Sequence, residues 1–442
     1  MLKTSSGLLF LSAVVAAVPA AGQDARARLH DQIDRRSAEI MPKVISWRRD
    51  FHQHPELGNR EVRTSKIVAD HLRGLGLEVR TGVAHTGVVA VLKGAKPGPV
   101  VALRADMDAL PVVEETDLPF KSTVKAEYNG REVGVMHACG HDAHTSMLMG
   151  AAEVLAGMRA ELPGTVVFLF QPSEEGAPAG EDGGAEMMIS EGALDNPKVD
   201  AIFGLHVFPL AAGAIHLRPR GIMAASDTLR IRVRGRQTHG AMPWAGVDPI
   251  VVASQVVIGL QTIISRQANL TTAPAAITIG MFQAGNRSNI IPDEALLEGT
   301  IRTFDAAMQK DIHERIRRTA ASIAEAAGAS AEVSISIGNP VTFNDPELTA
   351  RMVASLERVS APGFDPDAPA TTTAEDFSFY QQRVPGVYFF LGVAPIGVDP
   401  SKAEPNHSPR FMVNEDALVT GVRALASVAA DYLAGSPDKG RR

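Results

Sequence analysis

The chain has 442 residues, 45% of them hydrophobic and 21% charged, with a formal net charge of −7. This is the composition of a folded protein, and its length exceeds what one hydrophobic core usually organises, so two domains are expected. The acidic balance excludes the basic surface that a nucleic-acid partner requires.

The first residues read MLKTSSGLLFLSAVVAAVPAAGQ, with Lys3, an apolar run from about Gly7 to Val18 and small residues from Ala20 to Gly22. This is the pattern of an export signal over residues 1–22, cleaved after Ala20 or Gly22. The run is shorter than the roughly 20 residues that span a bilayer, and no later stretch reads as long and charge-free enough to do so. A periplasmic or secreted protein without stable membrane insertion is therefore expected. Cys139 is the only cysteine, so no intrachain disulfide is possible.

After the signal, Ala25 to Asp50 and Arg63 to Leu75 read as amphipathic helices. Short apolar runs follow, alternating with helical segments: Val100 to Asp106, Thr165 to Pro172, Asp200 to His206 and Gly386 to Gly392. Their continuous apolar character suits strands covered on both faces, as in a parallel doubly wound α/β sheet. Between about Gly221 and Gly338 the pattern changes. Strand Leu229–Val233, helix Pro249–Arg266, strands Ala276–Phe282 and Ala295–Thr303, helix Ala306–Ala327 and strand Ala331–Ile337 give the β-α-β-β-α-β order of a ferredoxin-like unit. The expected organisation is a catalytic domain over 23–220, an inserted lid or dimerisation domain over 221–338, and the remainder of the catalytic domain over 339–442.

Several apolar runs end in residues that bind metals, and open α/β sheets collect ligands outside the carboxyl ends of their strands. Asp106 and Asp108 follow the first run, Glu174 and Glu175 the second, and His206 ends the third. The group HACGHDAHT, from His137 to Thr145, precedes a helix read as Ser146–Met158, and NHSPRF supplies His407. Cys, His and carboxylate side chains are the donors that divalent metals take. Cys139 and His141, one residue apart in an extended loop, can reach one cluster. Each histidine alone reads more readily as a surface residue or a support for a ligand than as a ligand, and Glu174 and Glu175 by default as an exposed acidic turn. Converged by one fold, they make chemical sense together: one glutamate holds metal while its neighbour stays free to take a proton.

The phrases DFHQHPELGNRE, ALRADMDALPV, MHACGHDAHT, QPSEEG, GLH, HGAMP, SNIIP, GTIRTF and NHSPRF resemble the amidohydrolase branch of the aminoacylase metallopeptidases, peptidase family M-twenty, in order from about Ile45 to Leu433. The resemblance implies a metal-dependent hydrolase that cleaves N-acyl-amino acids to a carboxylic acid and an amino acid. It implies two divalent ions, zinc or manganese, held by Cys139, His141, Glu175, His206 and His407, with Cys139 bridging and Glu174 as the catalytic carboxylate. Asp108 supports a ligand; Asp106, His137 and His144 are not taken as ligands. His239 is nominated to stabilise the oxyanion, Asn289 and Arg302 to hold the substrate carboxylate, and the inserted domain to form a homodimer. TAED at Thr373 to Asp376 departs from the family's usual glycine before the alanine, and Glu375 receives no role. A dipeptidase or carboxypeptidase would use the same metals. A non-catalytic exported binding protein is the remaining alternative, although it has no use for an unpaired glutamate beside a metal.

Overall fold

The computed structural model describes residues 20–360 and 363–435; most of the proposed signal lies outside them. In chain order the first part comprises α1 (Ala20–Gln53), α2 (Val62–Gly74), β1 (Glu78–Val83), β2 (Gly87–Lys93), β3 (Lys96–Asp106), β4 (Lys125–Tyr128), β5 (Arg131–Gly134), α3 (His141–Ala156), β6 (Pro163–Gln171), α4 (Gly184–Ser190), β7 (Ala201–Phe208), β8 (Ile215–His216) and β9 (Arg220–Met223). The middle comprises β10 (Ala225–Arg234), β11 (Thr238–His239), α5 (Pro249–Thr262), β12 (Ala275–Ala284), β13 (Ile290–Ile291), β14 (Glu294–Thr303), α6 (Ala306–Ala326) and β15 (Ser330–Ile337). The last part comprises β16 (Thr342–Asn344), α7 (Pro346–Val359), β17 (Phe364–Asp365), α8 (Phe377–Gln381), β18 (Gly386–Gly392) and α9 (Leu418–Gly435).

The large sheet has the order β1-β2-β6-β3-β7-β18-β8-β17. Its centre, β6-β3-β7-β18, is parallel, as the apolar runs predict. Its flanks are not: β1-β2, β2-β6 and β18-β8 pair antiparallel. Strands β2 and β18 are buried almost throughout, because helices cover both faces. Apolar side chains of α1, α2, α3, α7 and α9 pack on one face, and those of α4 and α8 on the other.

A second sheet, β12-β14-β10-β15, is entirely antiparallel. Strand β10 alternates buried and accessible residues along its length; Leu229, Ile231 and Val233 pack with α5 and α6 in a core of their own. This is the expected β-α-β-β-α-β order. The chain passes into and out of this unit side by side, since β9 pairs with β16.

Two sequence expectations need correction. Helix α3 begins at His141 rather than Ser146, so His141, Asp142 and His144 sit on its first turn and only His137 to Gly140 of that group precede it. Gly140 (φ +91°) makes that earlier start possible, and a Cβ there would meet Val207 Cγ2 at 2.4 Å. Second, Pro249–Gln267 and Glu415–Gly435 are long and apolar enough to cross a membrane by length and composition. The latter is apolar because it packs inside the fold. The former carries an apolar face that the chain itself leaves open.

Asp431 on α9 receives Arg26 Nε at 2.7 Å and Ser355 Oγ at 2.5 Å and lies 2.9 Å from His30 Nε2, joining α1, α7 and α9. Burial alone would raise its pKa, but bonds from His30, Arg26 and Ser355 outweigh it and bring the group down to about 2. A carboxylate depressed on folding stabilises above its unfolded pKa, and that contribution fades as pH falls toward the folded value. Asp431→Ala should therefore cost about 1–3 kcal/mol at neutral pH, read from urea denaturation midpoints. The difference from wild type should shrink between about pH 4 and pH 2.

Candidate metal and catalytic site

The carboxyl ends of β3, β6 and β7 converge with the start of α3 and the loop bearing His407. Cys139 Sγ lies 3.3 Å from His206 Nε2 and 3.3 Å from His407 Nε2. Glu175 Oε1 lies 3.0 Å from His407 Nε2 and 4.0 Å from His141 Nε2, and Glu174 Oε2 lies 4.0 Å from the same nitrogen. All five ligands nominated from the sequence thus meet in one place, with Glu174 beside them. His407 is 54% exposed through its side chain, whereas His141 and His206 are buried, so the cluster opens on the His407 side.

Two of the three imidazoles are oriented by a bond on the other nitrogen, the usual support for a metal-binding histidine. His141 Nδ1 donates to the Asp108 carbonyl at 2.9 Å with Asp108 Oδ1 3.2 Å away, and His206 Nδ1 donates to the Val207 carbonyl at 2.8 Å. Their Nε2 atoms turn inward, and that of His141 is buried with no hydrogen-bond partner. The second oxygen of Asp108 accepts the Glu175 backbone N–H at 3.0 Å, so one side chain positions two ligands. Asn406 Nδ2 ties the Cys139 and Val207 carbonyls together at 3.1 Å each and brings His407 alongside.

Asp106 and His144 are excluded as ligands by their own bonds. Asp106 accepts His144 Nδ1 at 2.6 Å on one oxygen and Arg104 Nη1 at 2.6 Å on the other, and His144 Nε2 accepts the Val207 N–H at 2.9 Å. His137 is buried with both ring nitrogens unpartnered, and burial pulls its pKa down to about 4.

Electrostatically the site is short of positive charge. Burial, then the Glu175 and Glu174 carboxylates, push the Cys139 thiol well above its ordinary range. Burial and the neighbouring Glu375, Glu175 and Asp376 push Glu174 well up. Burial alone would lower His141, but Asp106 and Asp108 hold it up at about 10. Protons are thus retained where a cation would relieve the same repulsion. Donor set, inward nitrogens and charge deficit all fit divalent metal.

One part of the site was not foreseen. Glu375 is buried, receives Tyr388 Oη at 2.7 Å and lies 3.0 Å from Arg104 Nη2. Asp376 takes Arg104 Nη2 at 2.7 Å and both of its oxygens accept from Gln171 Nε2. Together they form the wall behind Glu174, whose Oε1 accepts the Asp376 N–H at 3.4 Å. A lone arginine two residues before Asp106 in an apolar strand was the available signal, since a buried guanidinium demands carboxylate partners.

His239, Asn289 and Arg302 lie in the four-stranded unit, and among the described residues none has a hydrogen bond or ion pair with the cluster. His239 and Asn289 are exposed neighbours: His239 pairs with Ile290 across β11 and β13, and Gly240 N donates to the Asn289 carbonyl at 2.8 Å. Arg302 is half-buried on β14 opposite Ser226 and Ala276.

Residues 102–431 match the model of Peptidase family M20/M25/M40. The chain belongs to this family. The stretch matching Peptidase family M20/M25/M40 contains every candidate ligand, Glu174 and the whole four-stranded unit. The chain is similar to a putative amidohydrolase of Bacillus subtilis (39% identical, covering 91% of this chain and 98% of the relative) and to thermostable carboxypeptidase 1 of Saccharolobus solfataricus (40%, 89% and 96%). It also resembles N-acetylcysteine deacetylase of Bacillus subtilis (38%, 88% and 97%). Among solved structures it resembles a dinuclear metal-binding family M20 peptidase of Bacillus subtilis, with TM-score 0.76 and 36% identity over 90% of this chain and 99% of that one.

Cys139→Ser and Glu175→Gln should lower bound metal, measured by elemental analysis after dialysis. Glu174→Gln should retain it while losing most activity. Normal metal content in Cys139→Ser would reduce the thiol to a buried apolar group.

Proposed function

We propose that this chain is an exported amidohydrolase that cleaves N-acyl-amino acids into a carboxylic acid and an amino acid. Two divalent ions, zinc or manganese, would be held by Cys139, His141, Glu175, His206 and His407; thiolate and imidazole favour zinc on affinity. The observation that carries the reading is Glu174, a glutamate with its side chain 8% exposed beside the five convergent donors that is not itself needed as a ligand. Bound divalent ions supply an acidified water and polarise an amide oxygen.

The protein's own groups do the rest. Glu174 takes the proton of the attacking water and hands it to the departing nitrogen. The Arg104, Glu375 and Asp376 wall fixes its direction. His239 donates to the oxygen on which negative charge develops, and Asn289 with the Arg302 fork receives the substrate's free carboxylate. Similarity to an N-acetylcysteine deacetylase supports the acyl-amino acid class. Similarity to a carboxypeptidase supports a second reading, a carboxypeptidase or dipeptidase, which uses the same groups on a peptide. The leader sequence supports export to the periplasm or medium.

Because His239 stands apart from its own chain's cluster, the proposal includes a two-fold dimer in which each four-stranded unit serves the partner's site. Strand β12 is an edge of its sheet with Phe282 42% exposed, and the neighbouring α5 exposes Val251 (54%) and Ile258 (68%). Such an edge and apolar face are liabilities alone and are relieved by self-pairing about a two-fold axis.

Purified protein should hydrolyse a panel of acetyl-, benzoyl-, indole-acetyl- and long-chain acyl-amino acids, lose turnover on chelation and regain it with zinc or manganese. Full activity without metal would end this reading, and turnover of dipeptides alone would favour the second. Glu174→Gln and His239→Ala, each nearly inactive, should recover activity when mixed under conditions of subunit exchange. The recovery should approach about a quarter of wild type, because one site of each mixed dimer then has both groups. No recovery despite proven exchange would return His239 to its own chain or to no role.

A further inference from the structure

We propose that Trp244 is the acyl-group contact of this enzyme, and that its preferred substrates carry an aromatic or similarly broad, flat apolar acyl group. The inference rests on the amidohydrolase reading above and specifies the substrate class. Trp244 is 77% exposed and Met242, two residues before it, 46% exposed. A side chain of this size ordinarily buries its ring, so an exposed tryptophan held in one place calls for an occupant.

Trp244 is held firmly. It sits in the short 3-10 helix Pro243–Ala245, which is clamped at both ends. Met242 N donates to the His239 carbonyl at 2.8 Å. Arg236 and Val247 exchange backbone bonds of 2.9 and 3.0 Å beyond it. Packing leaves no slack: a Cβ at Gly246 would meet Arg236 O and Thr238 Cγ2, each at 2.5 Å. The backbone segments that carry His239 and Trp244 are therefore braced against each other.

The order of groups on this tip follows the order of groups in an N-acyl-amino acid. Strand β11 carries His239 between two flanks, β13 with Asn289 on one side and the returning segment with Met242 and Trp244 on the other. With the substrate carboxylate at Asn289 and the amide oxygen at His239, the group left for the Trp244 flank is the acyl chain. A large flat acyl group covers the indole and the Met242 thioether together, whereas an acetyl group covers almost none of that surface.

Trp47 and Trp244 are the only tryptophans, and Trp47 stacks on His71 at 4.6 Å on helices of the first part of the fold. In metal-loaded Glu174→Gln carrying Trp47→Phe, N-benzoyl-glycine should therefore shift or quench the emission of Trp244, and N-acetyl-glycine at the same concentration should not. In the otherwise native dimer, Trp244→Ala should lower the ratio of kcat/KM for N-benzoyl-glycine over N-acetyl-glycine by about tenfold or more, mainly through KM. Trp244→Phe should restore most of that ratio. An unchanged ratio, an equal loss on both substrates, or a monomer by sedimentation would overturn the inference, the last by making Trp244 a subunit contact. If the wild-type enzyme cleaved no N-acyl-amino acid, the functional reading would fail. The emission measurement would then decide the Trp244 inference alone: no response to N-benzoyl-glycine would overturn it.

Discussion

The buried acid excess around Cys139 and Glu174 governs the rest of the structure. Glu174, Glu175, Asp106, Asp108, Glu375, Asp376 and a thiol are gathered in a small volume, with Arg104 as the permanently charged cation among them. In a low-dielectric interior such an arrangement is tenable only when protons or cations balance it. Every hydrogen bond on the periphery serves that balance. Arg104 neutralises the side remote from the cluster, the His144–Asp106 pair occupies both partners, and Asp108 divides its oxygens between two ligand-bearing segments. What remains unbalanced lies at the inward nitrogens, the thiol and the two adjacent glutamates, where a cation has most to offer.

The convergence of Glu174, Glu175 and His206 was legible because these residues fall at the ends of apolar runs, and a parallel sheet brings such ends together; Cys139, His141 and His407 lie outside those runs and were nominated by the family resemblance. The β-α-β-β-α-β unit was legible from its own alternation, since half-covered strands write period two into the sequence. Less was legible where pairing, rather than pattern, decides. Strand β2 is as apolar as its parallel neighbours, so its direction left no trace. Helix α3 starts early because Gly140 takes a left-handed turn against Val207, a contact between segments far apart in sequence. Glu375 escaped for a similar reason: its partners Arg104 and Tyr388 lie on separate strands, and nothing local distinguishes it from a surface glutamate. An apolar helix also reads the same whether it ends up in a core, as Glu415–Gly435 does, or with an uncovered face, as Pro249–Gln267 does.

The site and the unit proposed to complete it are built on different principles. His141 and His206 are buried and held through their far nitrogens, so their geometry is set before substrate arrives. His239, Asn289 and Trp244 instead occupy an exposed tip stiffened by backbone bonds.

The clasp at Asp431 has a consequence for the order in which the protein is assembled. Helix α9 locks onto α1, and β18 fills the centre of the large sheet between β7 and β8. The main body therefore cannot close until nearly the last residues have emerged during synthesis. The middle unit, by contrast, is contiguous from β10 to β15 and free to condense first, since its strand pairings lie within its own stretch of chain. Long-range closure of this kind leaves completion of the large sheet to the end of synthesis.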